Sequence, residues 1–220
     1  MKRSPETKWL SRLAVGKVRL GGIPARLLML LAFLFVVTVS SRADTIILTT
    51  SLSGLNEFPP NASAGTGIAV VTYDTSAETL RVQVSFHSLS GTTTASHVHC
   101  CTAAPFTGTA GVATTVPTFA GFPLGVTSGT YDNTLDLTLA SSFNPSFVTA
   151  HGGTLAGAEA ALAGGFLNGT SYLNIHTTAF PGGEIRGFLR PVPEPSTLFL
   201  LGSGLVGLTA RARKKLFRKA

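Results

Sequence analysis

The stretch TLRVQVSFHSL at residues 79–89 alternates without a break. Leu80, Val82, Val84 and Phe86 fall on one parity; Arg81, Gln83, Ser85 and His87 fall on the other. Successive side chains of a strand point to opposite faces, whereas a helix would scatter these four apolar groups around its circumference. The segment therefore predicts a strand with one face in a core, and such a strand needs partners. Similar runs recur at 45–52, 65–74, 96–100, 131–139, 171–177 and 184–189, separated by turn-forming residues. In 131–139, Leu135, Leu137 and Leu139 are expected to point inward. FPGG at 180–183 predicts a tight hairpin turn between the last two strands, because both glycines accept positive φ. Only TLAGAEAALAGGF (154–166) reads as a helix, with Leu155, Ala158 and Leu162 on one apolar face. Antiparallel connections between many short strands predict an all-β sandwich or barrel, Greek-key in style, with one short helix.

Charge divides the chain into three parts. The net charge is +7, but 13 of the 17 basic residues lie in 1–26 and 211–220. Between 44 and 190 there are three arginines (Arg81, Arg186, Arg190) against eight acids, a net charge of −5. A basic face for phosphates is therefore missing from the folded part, and nucleic acid is not an expected partner.

The two ends read as addresses. After Arg26 comes LLMLLAFLFVVTV (27–39), then small residues at Ser41 and Ala43. This is the order of a secretory signal: basic region, apolar region, cleavage site. Residues 1–43 are taken as the signal peptide, with cleavage between Ala43 and Asp44. Residues 191–220 begin with Pro193-Glu194-Pro195, continue with an apolar segment, and end in Arg and Lys. The 15 residues 196–210 would form a transmembrane helix about 22 Å long, short of a ~30 Å hydrocarbon core. The basic end would stay on the cytoplasmic side, which leaves residues 44–190 outside. The tail resembles the PEP-CTERM sorting signal of exported bacterial proteins. That resemblance implies export machinery and an exosortase as partners, at least transient membrane anchoring, and delivery to the cell surface or extracellular matrix.

Within 44–190, LSGLNEFPP (52–60), the L-x-V-x-V-x-F-x-x-L-x-G run (80–91), SHVH (96–99) and YLNIHTTAFPGGEIRGFL (172–189) together resemble the CHRD domain. The resemblance implies an immunoglobulin-like or related β-sandwich. It implies no settled activity.

The chemistry-bearing residues cluster at SHVHCC (96–101). Along a strand His97, His99 and Cys101 share one face, with neighbours ~6.6 Å apart, so two imidazoles can converge on one ion. Cys101 lies about 13 Å from His97 in a straight strand and joins only if the chain bends. His176 is the other candidate, on the same face of its strand as Tyr172 and Asn174. If 96–99 pairs with 171–177, three imidazoles meet, and copper or zinc would suit them. Adjacent cysteines in a trans chain have Cα atoms about 3.8 Å apart, below the usual ~4.4–6.8 Å for a disulfide. A strained vicinal bridge, bonds to another chain and metal-held thiolates all stay open in an oxidising compartment. Glu184 and Arg186 are expected to serve the turn and a surface ion pair. His87 and His151 are expected to be exposed, without a site role. Catalysis on a polysaccharide would need two carboxylates together; Glu57, Asp132 and Asp136 are candidates that nothing in the sequence brings together. The leading expectation is a non-enzymatic exported module, without a required cofactor, that binds a protein or exopolysaccharide. The alternative is a copper- or zinc-binding protein using His97, His99, His176 and Cys101.

Overall fold

The computed structural model describes residues 45–193 and 202–204. Its first half is a meander. β1 (Thr45–Ser53), β2 (Thr66–Asp74) and β3 (Thr79–His87) pair antiparallel over their full lengths, and β5 (Gly129–Asp136) follows on β3. The alternation in 79–89 has the expected consequence: Leu80, Val82, Val84 and Phe86 are buried, while Arg81, Ser85 and His87 face outward. Burying each of those four side chains contributes on the order of 1.5–3 kcal/mol before conformational entropy is counted. The β2–β3 turn is closed by Asp74, whose carboxylate accepts from the backbone N–H groups of Ser76 and Ala77 at 2.9 Å.

The second half adds β4 (Thr93–His99), β6 (Tyr172–Thr177), β7 (Ile185–Phe188) and the two-residue β8 (Arg190–Pro191). The eight strands form one antiparallel sheet in the order β4-β6-β7-β1-β2-β3-β5, with β8 beside β1. That sheet curls into a half-barrel. The all-β expectation holds. A second packed sheet, as an immunoglobulin-like sandwich requires, is not found among the described residues. Two helices add apolar residues to the sheet's core. α1 (Pro145–Ala150) starts at Asn144, whose side chain accepts from Ser146 N–H, and α2 (Leu155–Leu167) starts at Thr154, which accepts from Gly157 N–H. Ala158, Leu162 and Phe166 recur every four residues on α2 and enter the same core as Leu48, Val71, Val82, Leu173 and Ile185. The tight packing of α2 on Cys100 depends on Gly165, since a Cβ there would lie 2.4 Å from the Cys100 sulfur.

Several expectations change on the fold. Leu139 is 51% exposed, not inward, because β5 ends at Asp136. There the Asp136 carboxylate accepts from Thr138 N–H and turns the chain, so parity is lost. In the β6–β7 turn only Gly183 has positive φ. The short helix α1 lies where no helix was expected. Of the terminal segments, Pro193 is described and exposed. The signal peptide with Ala43 and Asp44, the Glu194 and Pro195 of the triplet, and most of the 196–210 segment lie outside the described residues. Among the described residues no helix is long and apolar enough to cross a membrane.

Candidate functional site

β4 and β6 pair antiparallel with Ala95 opposite His176, His97 opposite Asn174 and His99 opposite Tyr172. Directly opposed residues share a face, so this register places His97, His99 and His176 together. Their ring centroids are 5.8 Å (His97–His99), 5.3 Å (His97–His176) and 5.8 Å (His99–His176) apart. One nitrogen from each ring lies within 4.8 Å of the other two. Three nitrogens bound at about 2.05 Å to one tetrahedral ion would be ~3.3 Å apart, so small side-chain rotations bring them to coordination distance.

The backbone sets which nitrogen of each ring is free. β4 would be an open sheet edge, but the chain after Cys100 returns along it. Cys100 N–H donates to Gly111 O, Ala113 N–H to Val98 O and Phe119 N–H to Ser96 O, at 3.1, 2.9 and 3.1 Å. This loop brings the Pro117 carbonyl to His97 Nε2 (2.6 Å) and the Ala110 carbonyl to His99 Nδ1 (2.9 Å). On the other side, the β6–β7 turn brings the Pro181 carbonyl to His176 Nδ1 (2.9 Å). A carbonyl only accepts, so each of these nitrogens carries the ring proton. The lone pairs sit on His97 Nδ1, His99 Nε2 and His176 Nε2. All three atoms are buried and without a hydrogen-bond partner.

Burial is the main force on the three titrations. It pushes His99 down to about 4, against the Ala110 bond that favours the cation, with His176, His97 and Arg186 adding to the depression. Burial likewise lowers His97, which the Pro117 bond opposes and His176 reinforces, and it lowers His176, which the Pro181 bond opposes. The rings are therefore neutral near pH 7 and need not release a proton to act as ligands.

The surroundings continue this pattern. Among the described residues six buried side-chain polar atoms have no hydrogen-bond partner. Three are the imidazole nitrogens, and two more, Asn174 Oδ1 and Glu57 Oε1, lie around Gly183. A Cβ at Gly183 would meet Asn174 Nδ2 at 2.4 Å and Glu57 Oε1 at 2.9 Å, and its φ of 133° also requires glycine. Tyr172 stacks on His99 with centroids 4.8 Å apart, and the Arg186 guanidinium lies over the other part of this stack, 4.6 Å from the Tyr172 centroid. Arg186 is buried and donates to Asn56 O and Gly108 O, with Glu57 Oε2 3.7 Å away. Burial raises Glu57 to about 7 against the lowering effect of Arg186 and of the Phe58 N–H.

Several candidate residues take other roles. Cys101 is disulfide-bonded to Cys100 across a cis peptide, with Cα atoms 3.0 Å apart. The trans spacing assumed from sequence does not apply, and Cys101 offers no thiolate to the histidines in this state. Glu184 is fully buried rather than at the surface. Its carboxylate accepts from Ser63 Oγ, Ser90 N–H, Gly91 N–H and Thr177 Oγ1 at 2.5, 2.5, 3.2 and 2.6 Å. Burial works against its ionisation, but these donors outweigh it and hold the carboxyl below its usual range. Arg186 is likewise no surface residue. Asp132 is held by Arg81 and Gln83, and Asp136 caps its own turn, so the three carboxylates considered for catalysis are engaged separately. His87 is exposed as expected, while His151 is half-buried with Nδ1 on Phe147 O. The carbonyls of Ala110, Pro117 and Pro181 could not be picked out from sequence, since any residue type supplies a carbonyl. Tyr172 could have been, by its shared parity with His176.

Three neutral nitrogen donors of borderline softness suit copper or zinc. Comparison with known proteins agrees with the pattern read along the chain. The family model described as the CHRD domain matches residues 48–189, and that of the PEP-CTERM protein-sorting motif matches residues 191–214. No curated protein and no solved structure matched the chain.

Proposed function

The chain belongs to the CHRD domain family and carries a PEP-CTERM sorting motif, and from that premise we propose that it presents a metal-binding module at the cell envelope. The sorting motif marks an exported protein handled by an exosortase. The finer reading concerns what the exported domain does: His97, His99 and His176 hold one copper or zinc ion. The observation that carries it is the convergence of three buried, proton-free nitrogens, each on a ring whose other nitrogen is fixed by a backbone carbonyl. Buried polar atoms in native proteins are almost always paired, and an orphan costs roughly 1–3 kcal/mol. Three orphans facing one another are explained if a cation is their partner. Ligand histidines characteristically donate the other N–H to a carbonyl or carboxylate, which fixes the tautomer and raises ring basicity. The role is binding rather than catalysis, since the carboxylates that hydrolysis of a polymer would need are engaged apart from one another.

The test is elemental analysis of the exported protein, purified without chelators or a polyhistidine tag and exposed to copper or zinc. About one ion per chain is expected, falling below one-tenth in the His97→Ala, His99→Ala double variant. Fewer than about one ion per ten chains in the parent, with no change in the variant, removes the reading. The expected polymer or protein partner would meet a different surface, the groove beside β1.

A further inference from the structure

A groove of about 750 Å³ opens between β1, the turn after it, the 106–107 loop and the β7–β8 segment. Its lining combines three kinds of group. Apolar faces come from Leu55, Phe58, Ile68 and Phe106, which are 44–77% exposed. Hydroxyls and one amide come from β1, Thr107 and Asn56. The charges are Arg186, Arg190 and Glu57.

The placement of charge points to the occupant. Residues 44–190 are acidic and hold three arginines. Arg81 is bound two-pronged by Asp132 on the β3–β5 surface. The other two both line this groove. Glu57 offsets Arg186, but Arg190 is exposed and pairs with no carboxylate among the described residues. Its guanidinium lies 3.9 Å from the Phe106 ring centroid, which orients the fork while leaving its edge free for an anion. Exposed ring faces interleaved with hydroxyls suit a chain of sugar rings, which offers C–H faces and hydroxyl edges alternately. A single free arginine suits a carboxylate, whereas a nucleic acid would need cations for many phosphates and meets a domain of net charge −5. Arg190 also immediately precedes the sorting motif at 191–214, which puts the groove where the domain leaves toward the envelope.

We propose that this groove binds a carboxylated polysaccharide, with a sugar ring resting on Phe58 and a carboxylate on Arg190, which Phe106 holds in place from beneath. The inference is independent of metal binding.

The test is calorimetric titration of the exported protein with oligogalacturonate and oligoalginate, each beside its methyl ester. Esterification removes the charge and keeps the sugar. At least one acid is expected to bind, with its ester about 10-fold weaker or worse. Arg190→Ala should reproduce the loss for the acid without changing binding of the ester, and Phe58→Ala should weaken both. Circular dichroism melts of both variants should match the parent, which separates lost binding from lost folding. Equal binding of acid and ester, or no binding of either acid up to about 10 mM, overturns the proposal. Binding to phosphatidylglycerol vesicles without binding to either oligosaccharide overturns it in favour of an anionic lipid surface.

Discussion

The ring of Tyr172 lies flat on that of His99, with centroids 4.8 Å apart and planes 6° apart, while its hydroxyl both accepts from Ala110 N–H and donates to Ala110 O at 3.2 Å. Ala110 O is the acceptor for the His99 ring proton. One residue therefore steadies this imidazole through its face and through its hydrogen bond. Tyr172→Phe keeps the stack and releases the clamp. Zinc affinity is expected to fall about 10-fold, as for other outer-shell partners, in a competition titration against a chromophoric chelator. Affinity equal to the parent would show that Ala110 is held without the hydroxyl.

Metal binding should appear as folding stability, because the ligands come from two strands, and the loop after Cys100 and the β6–β7 turn order them. At a free zinc concentration 100 times the dissociation constant, stabilisation is about 2.7 kcal/mol, or roughly 5–10 °C in melting temperature for a domain of this size. The shift should vanish in His176→Leu. The metal-free variant should stay within about 1.5 kcal/mol of the parent, because the change removes one buried orphan as well as the Pro181 hydrogen bond. Melting curves with and without zinc check both statements.

Glu184 is a structural anchor. It joins four donors from three places in the chain. Glu184→Ala leaves the Gly91 N–H and the Thr177 hydroxyl buried without this acceptor, and urea unfolding should show a loss of about 3–5 kcal/mol. Since its folded pKa is lowered, its contribution is present above the unfolded value of 4.5 and is lost as pH falls through the folded value.

How much of this was legible in the sequence follows the range of the interactions. The strands were, because a period of two is written into neighbouring residues, as Leu80 to Phe86 show. So was the meeting of His97, His99 and His176, given one assumption about which strands pair. The single curled sheet was not, because strand order depends on long-range pairing that local alternation does not encode. Glu184 was misjudged for the same reason: its donors Ser63 and Ser90 are 121 and 94 residues away. Leu139 failed because an Asp side chain ended its strand three residues early. The state of the cysteines stays open in the sequence, because the spacing of a trans chain disfavours the vicinal bridge without excluding it.

Acid response offers a separate check. His99 drops from 6.5 to about 4, so the unfolded chain takes up this proton first, and the stability involved is present above pH 6.5 and lost on the way to 4. Glu57 rises from 4.5 to about 7, so its contribution is present below pH 4.5 and lost as pH rises through 7. Each amounts to about 3 kcal/mol at most, and the two oppose each other between pH 4.5 and 6.5. Metal-free Glu57→Gln should therefore lose stability more steeply than the parent on acidification from pH 6.5 to 4.5. Urea unfolding at several pH values gives the two slopes, and equal slopes would contradict these assignments.

The most direct measurement is long-range proton–nitrogen correlation NMR of the imidazoles, on the metal-free protein and after one equivalent of zinc. Before zinc the ring protons should sit on His97 Nε2, His99 Nδ1 and His176 Nδ1, the nitrogens facing carbonyls. Addition of zinc should then move the resonances of His97 Nδ1, His99 Nε2 and His176 Nε2 together, at one ion per chain, and leave His87 and His151 in place. Spectra unchanged by zinc, or a response at the carbonyl-bound nitrogens or at His87 and His151 instead, would contradict a metal centre at these three side chains.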